Sequence, residues 1–285
     1  MYAAEKMHSM NEHQLIEEWA REAGAIALTA FYDAQSAPPR RKADRSWVTD
    51  IDEQIELLLR ERIGAAYPDD RVMGEEGGGV ATLAGRVWVL DPIDGTGSFV
   101  KRLPVWGVSI GLLVDGQAAA GCMYLPVSNE CYLAGLEGPA TLNGRPISAD
   151  IDDPLDAQAW MAVPSNSHRT YRIDYPGKTR SMGSTAANIC YVARGGASGA
   201  LLGRSSLWDI AGAMAVLERA GGRLGSLSGQ PLDWAPLLRG ESAAEPLFVA
   251  SAANYELLRA KLSEIDPESN VIQTEWGIGY RFVEG

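Results

Sequence analysis

Apolar residues recur at helical spacing from position 11 to about 34, at Leu15, Ile16, Trp19, Ala23, Ile26, Ala27, Ala30 and Phe31, and predict a long amphipathic helix. The proline-broken run from Ser36 to Asp44 interrupts it as a loop, with Arg40, Arg41 and Lys42 on a solvated face. A second helix is expected from Thr49 or Asp50, with Ile51, Ile55, Leu58, Leu59 and Ile63 inward and a stop at Gly64 or Tyr67-Pro68. The period then shortens to that of strands. Residues 71–73 read as a short strand, 87–90 as a buried one, and 105–114, 117–125 and 130–134 as successive antiparallel strands. Asn143-Gly144, within residues 140–147, predicts a hairpin.

Beyond the polar stretch 150–156 the pattern alternates between strand and helix. A strand at 159–163 precedes a helix opened by Gly183-Ser184-Thr185-Ala186-Ala187-Asn188, and a strand at 199–202 precedes one opened by Trp208-Asp209-Ile210-Ala211-Gly212. Gly221-Gly222 stops that helix. A strand at 246–250 and a helix at 254–262 complete the set. The pattern predicts an α+β protein: an antiparallel sheet with two N-terminal helices, then an α/β second half. Its expected divisions are 1–150, 151–266 and an accessory tail, 267–285.

At 285 residues and 46% hydrophobic, the chain can bury a large core in one domain or two closely packed halves. Its 25 Lys+Arg against 37 Asp+Glu leave a net charge of -12. Such a surface repels nucleic acid and anionic membrane, so neither is expected as a partner. Cys122, Cys131 and Cys190 form no CxxC pair, which argues against zinc or a disulfide framework and for a reducing, cytoplasmic setting. No signal-peptide pattern opens the chain, and no apolar run approaches the roughly 18 residues of a membrane span.

The chemistry concentrates where the strand at 87–90 stops. Asp91-Pro92-Ile93-Asp94-Gly95-Thr96 sets two carboxylates three residues apart across a turn, followed by a glycine that lets backbone approach a ligand. The same residues suit an Asx-rich turn after a strand. Carboxylates for a hard cation, beside the Gly95 and Thr96 amides for an anion, also suit metal-assisted phosphoryl transfer. Asp52, Glu75 and Asp209 stand at element ends as well. Asp52 and Asp209 equally fit the first turn of a helix, as dipole partner or cap, and Glu75 equally fits a surface loop. A phosphorylated substrate on so acidic a chain needs cations to reverse the local sign.

Taken in order, Lys42-x-Asp44-x-x-x-Val48-Thr49-x-x-Asp52, Gly74-Glu75-Glu76, Asp91-Pro-Ile-Asp94-Gly-Thr96, Asn143-Gly144, Gly183-Ser-Thr-Ala and Trp208-Asp209-x-Ala211-Gly212 resemble the inositol monophosphatase superfamily. The resemblance spans roughly Ile16 to Leu262. It implies a layered αβαβα sugar-phosphatase-like fold. It also implies a Mg2+-dependent phosphomonoesterase that hydrolyses a small phosphorylated alcohol by in-line attack of metal-activated water. By the same resemblance Glu75, Asp91 and the Ile93 carbonyl ligate a first magnesium, Asp91, Asp94 and Asp209 a second, and Glu75 shares a third. Asp52 and Thr96, with Glu75, orient the attacking water. The Gly95 and Thr96 amides cradle phosphate, and Gly183, Ser184 and Thr185 line the alcohol pocket. Family members are commonly dimers, so a homodimer is expected. The histidines, His8, His13 and His168, stand outside the motifs, in keeping with direct hydrolysis; His168 is a candidate rim residue.

The chain departs from the family pattern in two places. The phosphate loop of the family, DGTxNFxxGxP, has Asn where Ser98 stands and Gly where Arg102 stands, so local packing must differ. Members selective for inositol phosphates carry an acidic residue seven positions before the Asp209 position, where this chain has Leu202. Arg204 nearby is either a surface arginine or a contact for a second anionic group of the substrate. The Lys-x-Asp form of the first motif also occurs in relatives acting on phosphoadenosine phosphate, histidinol phosphate or fructose bisphosphate. Nucleotidase, histidinol-phosphatase and fructose-bisphosphatase activities are therefore the alternatives. A rival of another class is an idle site on a chain that mainly binds a partner, against which stands the cost of keeping an unused carboxylate cluster folded. The tail, through Trp276 and Tyr280, lies beyond the usual family end and resembles the final hairpin of winged-helix response regulators, without a recognition helix. It is expected to pack on the body or on a neighbouring subunit rather than bind DNA.

Overall fold

The computed structural model describes residues 11–33, 39–42, 47–79, 81–150, 155–265, 272–275 and 279–282. Asp44, the middle of the expected seam at 151–154, and Trp276 lie outside the described residues. Helix α1, Glu12–Tyr32, starts at Asn11, whose side chain accepts from the Gln14 amide while Gln14 accepts from the Asn11 amide, both at 3.2 Å. A short ribbon, β1 (Arg40–Arg41) with β2 (Trp47–Val48), leads to α2, Asp50–Ala66. The predicted inward stripe of α2 is buried at Ile55, Leu59 and Ile63, and Glu56 is buried within it.

Seven strands form the first sheet in chain order: β3 (Arg71–Gly74), β4 (Arg86–Asp94), β5 (Gly107–Val114), β6 (Gln117–Leu125), β7 (Glu130–Ala134), β8 (Thr141–Leu142) and β9 (Arg145–Pro146). A short helix, α3 (Thr96–Val100), follows β4. All neighbours are antiparallel except β3 with β4, which run parallel. On β4, Trp88 and Leu90 pack with α1 and α2, while Val87 and Val89 join the core on the opposite face. This alternation carries Asp91 to the side away from the N-terminal helices.

The second half contributes β10 (Trp160–Ala162), α4 (Ser167–Thr170), β11 (Tyr171–Ile173), β12 (Lys178–Arg180), α5 (Thr185–Ala193), β13 (Gly199–Gly203) and α6 (Leu207–Arg219). After these come β14 (Gly222–Ser226), α7 (Trp234–Leu238), β15 (Leu247–Ser251), α8 (Tyr255–Arg259) and β16 (Leu262–Glu264). Five of the strands form a mixed sheet in the order β12-β10-β13-β15-β14. Helices α5 and α6 fill the space between the two sheets, and Tyr255 and Leu258 of α8 cover the far face of the second. The layers therefore read α, β, α, β, α, as the family resemblance implies.

One expectation shifts, and two strands appear that the sequence pattern does not announce. The helix expected over 254–262 stops at Arg259, because Leu262–Glu264 pairs antiparallel with β11 and buries Leu262. Strands β11 and β12 carry too little apolar pattern to be read locally; long-range pairing makes them. In the tail, Ile272–Glu275 (β17) and Gly279–Phe282 (β18) form the expected hairpin; the expectation that the tail packs on the body or a neighbouring subunit falls on side chains outside the described residues.

Helix α6 crosses the first sheet at very close range. A Cβ at Gly111 of β5 would lie 2.7 Å from the Ala211 carbonyl carbon, and one at Gly212 would lie 2.9 Å from the Ile110 amide nitrogen. The small residues Ala211 and Gly212 thus let the helix sit on the sheet backbone, which brings the Asp209 carboxylate beside Asp91 and Asp94.

Candidate active site

Three carboxylates from two elements converge at the C-terminal end of β4. Asp91, Asp94 and Asp209 each offer an oxygen, and these atoms lie within 4.8 Å of one another. The register of β4 against β5 slips between Asp91 and Asp94, so both side chains reach one cleft instead of opposite faces. Asp94 accepts from the Thr185 amide at 3.2 Å, the Ala186 amide at 2.9 Å and the Ser184 hydroxyl, all at the start of α5. Asp209 accepts from the Ser206 amide at 2.6 Å, and so caps α6 while facing the cleft.

Asp52 follows the same logic. Its Oδ2 accepts from the Thr49 amide at 2.8 Å and the Thr49 hydroxyl at 2.5 Å, closing the first turn of α2. Its Oδ1 faces the Thr96 hydroxyl at 3.5 Å, and that hydroxyl donates to the Ile93 carbonyl at 3.0 Å. Gly95 takes a left-handed φ of 88°, and a Cβ there would lie 2.8 Å from the Gly183 carbonyl. The phosphate-loop candidates and the 183–185 segment therefore touch.

Electrostatics at this point oppose ionisation. Burial, then the Asp94 charge, pushes the Asp209 carboxyl up to about 8. Burial raises Asp94 to about 6, against the lowering effect of the Ser184 hydroxyl and the Ala186 and Thr185 amides. Asp91 rises well above the usual carboxylate range through burial and the neighbouring Glu75 and Asp94 charges. Burial also lifts Asp52 to about 6 and Glu76 to about 7. Such a cluster is stable only when partly protonated or arranged around cations. Its all-oxygen donor set fits a hard divalent cation.

The basic run expected on a solvated face divides. Arg40 is exposed and pairs with Asp50 and Glu53 at 2.9 Å, and Arg41 lies 3.5 Å over the Trp47 ring. Lys42 turns inward, with Nζ 2.6 Å from Glu75 and 2.7 Å from Glu76. Burial works against its ammonium, but the hydrogen bonds to both glutamates outweigh that, and its pKa is raised. Local charge pattern hid this, because the partners stand more than thirty residues away.

Arg204 does not turn into the cleft. Its guanidinium forks onto Glu264 at 2.8 and 3.1 Å and donates to the Ala244 carbonyl at 3.2 Å, which occupies the donors foreseen for a second anion. His168 is exposed on α4. Leu202 lines a cavity of about 210 Å³ together with Gly183, Ser184, Thr185 and Asn188. Sequence reasoning missed Asn188, whose side-chain oxygen is buried without a hydrogen-bond partner among the described residues.

Fold and site together define a layered αβαβα protein with an acidic cleft at the C-terminal end of β4. The description "Inositol monophosphatase family" matches residues 10–266, and the chain belongs to that family of phosphoric monoester hydrolases. It is 32% identical over 254 residues to a histidinol-phosphatase of Chlorobaculum parvum, covering 85% of this chain and 97% of that protein. It is 30% identical over 230 residues to an inositol-1-monophosphatase of Bacillus subtilis, covering 76% and 86% respectively. The solved structure of inositol monophosphatase-II from Staphylococcus aureus superposes with a TM-score of 0.73 at 25% identity, over 88% of this chain and 92% of that one. Among the described residues no helix is long and apolar enough to cross a membrane.

Proposed function

We propose that the protein is a magnesium-dependent phosphomonoesterase acting on a small phosphorylated alcohol, with two to three ions held by Glu75, Asp91, the Ile93 carbonyl, Asp94 and Asp209. The observation that carries this reading is the convergence of Asp91, Asp94 and Asp209 within 4.8 Å. When bound, the cations lower the pKa of a water and offset phosphate charge.

The chain's own groups supply the rest. The Thr96 hydroxyl hydrogen, turned from Ile93 to Asp52, leaves lone pairs that accept a hydrogen bond from a water in the cleft and hold that water in line with phosphorus; as the water attacks, its proton passes to Thr96 while the Thr96 hydrogen passes to Asp52. Asp52, with its carboxyl raised by burial to about 6, suits the uptake of that proton. The Gly95 and Thr96 amides, at the start of α3, donate to phosphate oxygens. The alcohol occupies the cavity edged by Gly183, Ser184 and Thr185. Leu202 in its wall offers no carboxylate to a ring hydroxyl, so grip on the alcohol falls to hydroxyls such as Ser165 and Thr185.

The names of relatives, histidinol-phosphatase and inositol-1-monophosphatase, support small phosphate monoesters as the substrate class. The enzyme is further proposed to work as a homodimer in the cytoplasm, where its free cysteines stay reduced; light scattering tests the first point. The function is tested by phosphate release from inositol phosphates, histidinol phosphate, fructose bisphosphate and phosphoadenosine phosphate, with and without EDTA. Activity that survives both EDTA and Asp94→Asn sinks the reading.

A further inference from the structure

Helix α2 buries two acidic side chains among its apolar residues, Asp52 in the first turn and Glu56 one turn further on. Glu56 lies between Ile55 and Leu59 and is only 2% exposed. Its carboxylate accepts from the Glu76 amide at 2.7 Å, the Gly77 amide at 2.8 Å and Arg60 Nε at 2.8 Å. Arg60 donates in turn to the Gly78 carbonyl at 2.6 Å and the Val72 carbonyl at 3.3 Å. One Glu–Arg pair therefore grips the turn that begins at Glu75. The opposite side of that turn is held by the Glu75 amide, which donates to the Leu90 carbonyl at 3.1 Å, one residue before Asp91.

The turn itself is soft, with glycine at 74, 77, 78 and 79. It is also fitted around the carboxylate. A Cβ at Gly77 would lie 2.6 Å from Glu56 Oε1, and one at Gly74 would overlap the same carboxyl group. The Glu75 side chain is anchored by the Lys42 ammonium, which sits on a flexible stem and is shared with Glu76. The Glu75 charge acts on Asp91, and where that carboxylate stands relative to the Asp91, Asp94 and Asp209 group depends on the backbone beneath it, which Glu56 holds on one side and the Leu90 carbonyl on the other.

We propose that Glu56, backed by Arg60, is the positioning residue for Glu75: it holds the 74–78 turn so that the Glu75 carboxylate enters the cleft beside Asp91. The inference rests on the reading of Glu75 as a metal ligand. Outer partners of this kind usually carry a tenfold or larger share of metal affinity.

The test compares Glu56→Gln and Gly77→Ala with wild type and Glu75→Gln. Glutamine keeps the size of Glu56 but turns an amide NH2 toward at least one of its three donors. Alanine at 77 pushes the turn away from an intact Glu56, so it serves even if Glu56→Gln fails to fold. Hydrogen exchange at the Glu76 and Gly77 amides should accelerate in Glu56→Gln. Calorimetric affinity for Mn2+ should fall about tenfold in both variants, while kcat at saturating Mg2+ stays within about threefold. A lowered Tm with unchanged Mn2+ affinity in both would make Glu56 a purely structural residue and overturn the proposal. If wild type and Glu75→Gln bind Mn2+ alike, the assignment of Glu75 fails and takes the clamp's role with it.

Discussion

The Thr96 hydroxyl stands 3.5 Å from Asp52 Oδ1, although 44 residues separate the two in the chain. Helix α2 delivers one member and the start of α3, just past β4, the other. Thr96→Ala and Asp52→Asn should each lower kcat by about two to three orders of magnitude, with little change in the Mg2+ concentration for half-maximal rate. Thr96→Ser should restore most of the rate, because it keeps the hydroxyl. Steady-state phosphate release measures all three. Wild-type kcat in Thr96→Ala would remove the pair from the chemistry.

Ser184 ties the two halves of the chain together at the site, since its hydroxyl donates to Asp94 and also caps α5 by accepting from the Ala187 amide at 3.1 Å. That hydroxyl helps keep the Asp94 carboxyl down. Ser184→Ala should therefore raise the Asp94 pKa, shift the acid limb of the pH–rate profile to higher pH and weaken Mg2+ binding by about tenfold. Loss of the cap should cost about 1 kcal/mol of stability. An unmoved acid limb would show that Ser184 serves the helix alone.

In the metal-free protein the raised carboxyls make stability fall with pH. Asp94 at about 6 and Asp209 at about 8 lie above the unfolded value near 3.9. Between those values the folded chain keeps protons that the unfolded chain has released. This contribution is complete below about pH 4 and is lost as pH rises through about 6 and then about 8. The Tm of EDTA-treated protein should drop by at least about 5 °C between about pH 5 and about pH 8.5, and saturating Mg2+ should remove most of the drop. A Tm that rises over that window would contradict the proposed burial of these charges.

Arg102 adopts a φ of 59°, at the position where the family pattern has glycine. Its guanidinium offsets the strain by donating to the carbonyls of Ala30 at 3.0 Å, Asp33 at 3.0 Å and Phe31, at the end of α1. The left-handed backbone costs about 1 kcal/mol, whereas charge-assisted bonds contribute about 1.5–3 kcal/mol. Arg102→Gly should thus destabilise by about 1 kcal/mol and Arg102→Ala by about 2, since alanine keeps the strain and loses the bonds. Urea denaturation ranks them. Arg102→Gly more stable than wild type would mean that the capping bonds contribute little.

Sequence alone determined the elements that build the scaffold and the residue types of the cleft. The apolar period of α1 and α2 and the Asn143-Gly144 turn are local properties, decided within a few residues of backbone. The ordered motifs around Asp52, Glu75, Asp91, Asp94 and Asp209 were legible because each stands at an element end, where side chains are free to project. Tertiary structure decided what each of those groups touches. The inward turn of Lys42, the pairing of Arg204 with Glu264 and the hold of Glu56 on the Glu76 and Gly77 amides join positions 20 to 60 residues apart. β16 likewise exists only because β11 lies beside it. Periodicity along a chain reports which face is buried. It carries no record of which distant partner a buried charge will meet, and at this site that choice sets the pKa values and the path of every carboxylate.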